Sequence, residues 1–350
     1  MIFMLANGLV SHVIVNSMLL DASGRDAWIT VLLSGAFLIP WCLLMVLAMR
    51  RMGQQKLLPW LAQQTHPVLA WLLVLPALIC LYLNGGMTIT YTTTWTISNY
   101  LPATPPLVLS FLLVTASALC AIWGIRVIAI TSGVLLPIVV ALGYFVSISN
   151  SSEKDYRLMK PILEHGWEKV WDGLIFSWGG YIEFVFLFLM QHHIRTKVKP
   201  WHLGVLALIM VYISLGPIVG AITEFGPHES ARQMASPYEQ WRLVKLGNYI
   251  EHVDFFSIYQ WESGAVIRTA LSVFLIADLL PIKRPRTRVM TIGAIAVSYI
   301  VVALMPVNEY SYFLFLYRYY FPISFIVLLA ASAAWMLISC VAKPAGEVQT

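Results

Sequence analysis

The chain has 350 residues, of which 59% are hydrophobic and 11% charged, with a formal net charge of +5. A soluble domain carries about 25% charged residues, so this composition, with a mean hydropathy of +0.77, excludes a soluble enzyme, a nucleic-acid binder and a disordered scaffold. It leaves an all-α integral membrane protein, because a helix satisfies its own backbone hydrogen bonds in hydrocarbon.

Apolar windows of about 19 residues predict about ten transmembrane helices. In chain order they cover 1–20, 27–49, 67–98, 106–124, 127–149, 173–190, 201–224, 259–280, 289–307 and 321–342. Asn7, Ser11, His12, Asn16 and Ser17 interrupt the first window. No basic stretch precedes it, so it reads as a span and not as a cleaved signal peptide. If the N-terminus is cytoplasmic, the cytoplasmic segments hold Arg50, Arg51, Lys56, Arg126, Arg195, Lys197, Lys199, Lys283, Arg284, Arg286, Arg288 and Lys343. The short segments opposite hold Arg25 and Arg318, and the long ones, 150–172 and 225–258, weigh little in the positive-inside rule. Both termini are therefore expected in the cytoplasm.

Ten spans divide into two groups of five, and an odd number per group inverts the second relative to the first. Such repeats are a recurring transporter plan with its site near mid-membrane. The expected organisation is one polytopic domain, 1–350, with a first five-helix repeat at 1–149, an outer loop at 150–172, a second repeat at 173–343 and a short cytoplasmic tail at 344–350. Two amphipathic stretches, 54–66 and 236–256, either lie in the headgroup interface or cap the bundle as loop helices.

Cys42, Cys80, Cys120 and Cys340 all lie in apolar stretches and read as small buried apolar side chains. Their spacing fits neither a disulfide framework nor a zinc site. There is no phosphate loop, no Gly-x-Ser-x-Gly elbow, and no Cys or His pair at metal-ligand spacing. No enzyme activity, cofactor or metal is expected.

Intramembrane polar residues carry what functional signal there is. In the first span Asn7-Gly8 marks a candidate break, and His12 either titrates or is a satisfied interior side chain. In the third, Asn84, Thr88, Tyr91 and Trp95 recur on one helical face beside Gly85, Gly86, Thr92 and Thr93. That stripe either joins helices or lines a path. In the sixth, Gly179-Gly180 sits within Trp178-Gly179-Gly180-Tyr181-Ile182-Glu183. The pair either interrupts the helix, freeing N–H groups that suit a carboxylate, or allows close helix packing.

Glu183 lies one turn beyond Gly179, and a mid-span carboxylate costs about 2.5–3.5 kcal/mol on insertion scales. It binds a proton, a cation or an amino group, or it pairs with a buried base. Arg268, inside the eighth span, is the candidate partner or gate. Ser263 and Glu262 open that span, and Asp278 reads as a boundary residue near Lys283 and Arg284.

These residues resemble a family. Gly24-Arg25-Asp26-Ala27-Trp28-Ile29-Thr30 is similar to the Asp-Ala-Trp-Ile/Leu-Ser signature of bacterial spore-germination permeases, the B subunits of nutrient germinant receptors. Ser236-Pro237-Tyr238, Arg242, Leu246-Gly247, Tyr249-Ile250-Glu251-His252-Val253-Asp254 and Trp261 resemble the family's outer loop. Gly180-Tyr181-Ile182-Glu183-Phe184 resembles its aromatic-x-Glu segment.

The resemblance implies a fold of the amino acid–polyamine–organocation superfamily: a 5+5 inverted repeat, leucine-transporter-like, with broken helices 1 and 6. It implies a subunit that binds a small nutrient, often an amino acid, between those helices. Asn7, Gly8, Trp178, Gly179, Gly180 and Tyr181 would hold the ligand's carboxylate and amine, and Glu183 would supply charge. Asn84, Tyr91, Thr92 and Ser263 would line the opposite wall. Its expected partners are an A-type membrane subunit, a C-type lipoprotein subunit and lipid, in the bacterial cell membrane or spore inner membrane.

Two features depart from the pattern. The Gly-rich break of the superfamily's first helix is here only Asn7-Gly8-Leu9-Val10-Ser11, and His252 stands where the family has Arg. Two alternatives stay open at this point: a transporter coupled to protons or sodium, and a scaffold subunit with a vestigial cavity.

Overall fold

A computed structural model describes residues 1–245, 247 and 252–342. Leu246, Tyr249, Ile250 and Glu251 of the outer-loop match, and the tail at 344–350, lie outside the described residues.

The chain begins with α1 (Ile2–Leu9), a π-helical turn (Val10–Ile14), α2 (Val15–Ser23), a 3-10 turn (Gly24–Asp26) and α3 (Ala27–Arg51). As one straight helix these 50 residues would be about 75 Å long, far beyond the roughly 40–45 Å of a whole bilayer. Gly24 divides them, at φ +55 and ψ −131, a conformation open to glycine at little cost. Across this turn Ser23 Oγ and Thr30 Oγ1 come within 3.0 Å, although seven residues of straight helix would hold them about 10 Å apart.

Then follow α4 (Leu57–Gln64), α5 (Pro67–Asn99), α6 (Pro106–Trp123), α7 (Ile125–Ser149) and α8 (Gly166–Tyr181). A 3-10 turn (Ile182–Val185) joins α8 to α9 (Phe186–Met190), and α10 (Pro200–Phe225), α11 (Pro227–Ser230), α12 (Ser236–Leu243), α13 (Phe256–Leu279) and α14 (Pro285–Ala303) come next. The last stretch is α15 (Glu309–Phe315), a π-helical turn (Leu316–Tyr320) and α16 (Phe321–Val341). Proline opens α5, α6, α10 and α14, where its fixed φ suits the first turn and its missing N–H has no partner to lose.

Among the described residues, 8 helical stretches are long and apolar enough to cross a membrane. α13 is the polar exception, carrying Glu262, Arg268 and Asp278, and it packs against α1, α5, α6, α7 and α14. The α8–α9 stretch is 89% buried over its apolar window, whereas the stretch beginning with α7 is 11% buried. Peripheral helices turn Leu47, Val134, Ile148 and Leu337 outward, as lipid-facing surfaces do. This is an all-α membrane protein.

Several boundaries differ from the hydropathy reading. The last helical stretch starts at Glu309, not at 321, so Arg318 belongs to a π-helical turn and not to a short loop. α8 runs through Gly179-Gly180, and the departure from α-geometry comes one turn later, at Ile182–Val185. A Cβ at Gly179 would lie 3.1 Å from Phe321 Cβ, and one at Gly180 3.1 Å from Ser11 Oγ. The glycines thus let the first and last helical stretches approach closely.

The amphipathic stretches pack against the rest of the bundle. α4 buries Leu57, Leu58, Trp60 and Leu61, and Trp241 of α12 clusters with Val146, Val244 and Val253. All four cysteines are free; Cys42 and Cys80 are buried, Cys120 half-buried and Cys340 exposed on its helix face.

Candidate functional site

Three helices bring polar groups to one point in the bundle. α13 supplies Arg268, the 3-10 turn after α8 supplies Glu183, and α5 supplies Asn84 and Thr88. Glu183 and Arg268 are 5% and 4% exposed, and they form a bidentate pair, Nη1 to Oε2 and Nη2 to Oε1, each at 2.5 Å. Arg268 Nε donates to Thr88 Oγ1 at 3.0 Å, Nη1 donates to the Ala6 carbonyl at 3.0 Å, and Nη2 donates to Asn84 Oδ1. A guanidinium has five N–H donors, and these partners use all five.

The helix distortions supply part of this network. The Val10 N–H bonds to Asn7 O at the start of the π-helical turn, three residues back where an α-helix would use Ala6 O. The Ala6 carbonyl accepts from Arg268. Asn7 Nδ2 donates to Gly180 O at 2.7 Å and to Glu183 Oε2 at 3.3 Å, while Ser11 Oγ donates to Asn7 Oδ1 at 2.8 Å. Irregular backbone in a membrane protein persists where other groups take up its carbonyls, and here buried side chains do so.

An aromatic roof lies two turns along α5 and α13. Trp95 and Trp261 stack with centroids 3.8 Å apart and planes at 10°. Trp261 Nε1 donates to Thr92 Oγ1 at 3.1 Å, Tyr91 lies 5.6 Å from Trp261, and Tyr238 edges onto Trp95 at 5.3 Å. Tyr100 OH, just past α5, donates to the Asp254 carbonyl at 2.8 Å and ties down the segment that precedes α13. Between roof and ion pair, Val10, Met87, Tyr91, Leu316 and Tyr320 enclose about 10 Å³ for the centre of a water molecule. That is room for one water, not for an amino acid, so the arrangement is a closed one.

Residues 1–309 of the chain match the family of spore germination proteins. The chain belongs to that family. It is also 37% identical over 338 residues to spore germination protein XB of Bacillus anthracis, an alignment covering 97% of this chain and 95% of that protein. The family-like signature at Gly24–Thr30 has a visible structural task here. Asp26 Oδ1 accepts from the Leu163 N–H at 2.9 Å, and Arg25 pairs with Glu164 at 2.8 Å, so the turn between α2 and α3 fastens the segment between α7 and α8.

Of the residues singled out in the sequence of this germination-family chain, Asn7, Asn84, Gly180, Glu183 and Arg268 meet in the network. Tyr91 borders the small cavity and Thr92 belongs to the roof. Trp178 does not join them. Its buried ring turns toward α3 and α16, edge-on to Trp41 at 6.4 Å and 6.0 Å from Phe325, beside a separate apolar groove of about 380 Å³. Gly179 packs on Phe321, Gly8 faces open space, Tyr181 is in the main core, and Ser263 is buried on α13 outside the network. His12 is a satisfied interior side chain, its Nδ1 bonded to the Ile213 carbonyl at 3.0 Å.

Asp278 lies at the helix boundary, and its charged partners come from other elements. α13 ends at Leu279, and the α3–α4 loop brings Lys56 to 3.5 Å from Asp278 Oδ2, with His192 at 3.0 Å. Sequence reasoning also missed Tyr320, whose OH donates to Asn84 Oδ1 at 3.4 Å. Its window began one residue later, so the tyrosine counted as loop.

Proposed function

We propose that this chain is the nutrient-sensing membrane subunit of a spore germination receptor, and that a small amino acid binds by taking over the Glu183–Arg268 pair. One observation carries this reading: a carboxylate and a guanidinium held at 2.5 Å between two distorted helices and the polar stripe of α5. An amino acid brings the same two charges. Its carboxylate would replace Glu183 on Arg268, its ammonium would replace Arg268 on Glu183, and the Ala6 and Gly180 carbonyls stand beside the ammonium site. Bonds lost and gained are of one kind, so opening the bundle need not strand a charge.

The closed cavity makes this a two-state device. A ligand that fits only after the aromatic roof and the pair separate shifts the population toward the open form. In the receptor, an A-type membrane subunit and a C-type lipoprotein would read that shift. We place the chain in the spore inner membrane with both termini cytoplasmic, as one domain built from halves 1–149 and 173–343 around the outer segment 150–172, with a tail at 344–350. The distorted stretches at Val10–Ile14 and Ile182–Val185 fall in the first helix of each half, which supports the inverted, leucine-transporter-like plan of the amino acid–polyamine–organocation superfamily.

The complete satisfaction of Arg268 by the protein's own groups favours a second reading, a scaffold whose cavity no longer takes ligand. A thermal-shift screen of amino acids and sugars on the purified chain, beside flux into liposomes, separates the possibilities. Stabilisation by amino acids without flux supports the sensor; flux marks a transporter; no response to any ligand leaves the scaffold.

A further inference from the structure

At the far end of α13 from the aromatic roof, two imidazoles and a carboxylate converge. The 3-10 turn Gln191–His193 follows α9 directly, and Gln191 Nε2 anchors it by donating to the Gln55 carbonyl at 2.9 Å. The tight turn brings the His192 and His193 rings together, centroids 4.0 Å apart. Asp278 Oδ2 lies 3.0 Å from His192 Nε2 and 3.5 Å from His193 Nε2.

We propose that His192, His193 and Asp278 form a binding site for a divalent transition-metal ion of the zinc class. The three donor atoms all lie within 4.8 Å of one another. A tetrahedral ion with bonds of about 2.0–2.1 Å holds its ligands about 3.3 Å apart, and the separations of 3.0 and 3.5 Å bracket that value. Two imidazoles and one carboxylate suit zinc, cobalt or nickel better than magnesium or calcium, which take oxygen ligands. His193 Nε2 is buried yet makes no hydrogen bond, a rare condition for a buried polar atom and one that a metal bond would relieve. The side chains keep 16–25% exposure, so an ion can enter and hold water at its open position.

Lys56 is the resident cation in this arrangement. Its Nζ sits 3.5 Å from Asp278 Oδ2 and also donates to the Asp278 carbonyl. An incoming ion takes the carboxylate oxygen while Lys56 keeps the carbonyl. The site does not depend on the ligand reading above. It joins the end of α9 to the end of α13, so an ion there would tie together the stretches that carry Glu183 and Arg268.

The test is a Co²⁺ and Zn²⁺ titration of the purified full chain after chelator treatment, in nanodiscs. Wild type should bind one equivalent, with the visible absorption of tetrahedral cobalt. His193→Gln and Asp278→Asn should weaken binding at least about tenfold, and Lys56→Gln should tighten it. X-ray absorption of the zinc-loaded wild type should show two imidazole ligands, a readout independent of how the variants fold. Absence of the tetrahedral spectrum, fewer than two imidazoles, or unchanged affinity in well-folded His193→Gln would each overturn the proposal.

Discussion

Arg268 and Asp278 stand ten residues apart on α13, about 15 Å along the axis, and each faces an opposite charge. Around Arg268 every donor has a partner and neither member of the pair reaches solvent. Around Asp278 the side chains are partly exposed, and His192 Nδ1 and His193 Nε2 lack hydrogen bonds. Burial explains the contrast. A charge deep in the bundle is tolerable only when fully partnered, whereas water near the end of a helix forgives an incomplete set. The Glu183–Arg268 pair therefore has no donor of Arg268 left over, while the cluster at Asp278 has coordination to spare.

The largest effect should come from leaving one inner charge alone. Arg268→Met strands Glu183 and should destabilise the detergent-solubilised chain by about 3–5 kcal/mol. Adding Glu183→Leu to the same chain should recover most of that loss in thermal unfolding. A double variant no more stable than the single one would show that the pair is uncoupled.

Next comes Asn7→Ala, which removes the donor to Gly180 O and Glu183 Oε2. Leaving buried acceptors short should cost about 1–3 kcal/mol in the same assay. Asp278→Asn in metal-free protein sharpens the comparison from the other side. Its ion pairs are partly exposed, so the loss should stay within about 1 kcal/mol, and an Arg268-sized effect would mean that the two charges are equally dependent on their partners.

The smallest change is expected at Asp155, where hydrogen bonds from Arg157 hold the exposed carboxyl below its ordinary pKa. A depressed carboxyl contributes stability above its unfolded pKa and loses it as the pH falls through the folded value. Asp155→Asn should therefore lower melting slightly at neutral pH, and the gap to wild type should close as the pH falls through the acid limb of the melting profile.

Much of this was legible in the chain. Uniform apolar windows located the helices, and Glu183 and Arg268 stood out as charges far from any loop. The stripe Asn84–Thr88 followed helical periodicity to its contact with Arg268. What was hidden depends on contacts distant in sequence or on small changes in helical pitch. The helix switches at Ile182, not at the glycine pair, and Trp178 turns to α3 and α16 because the face of α8 is set by packing. His192 and His193 meet Asp278 only through the fold, since adjacent residues carry no metal-ligand spacing by themselves.

The central claim is that the Glu183–Arg268 pair is the lock that a nutrient amino acid opens. Equilibrium binding of an amino-acid panel to purified wild type and Glu183→Gln, side by side in nanodiscs, tests it most directly. The account predicts binding to wild type that falls at least about tenfold, or 1.4 kcal/mol, in the variant, because glutamine cannot neutralise the ligand's ammonium. Equal affinity for the two proteins would contradict it.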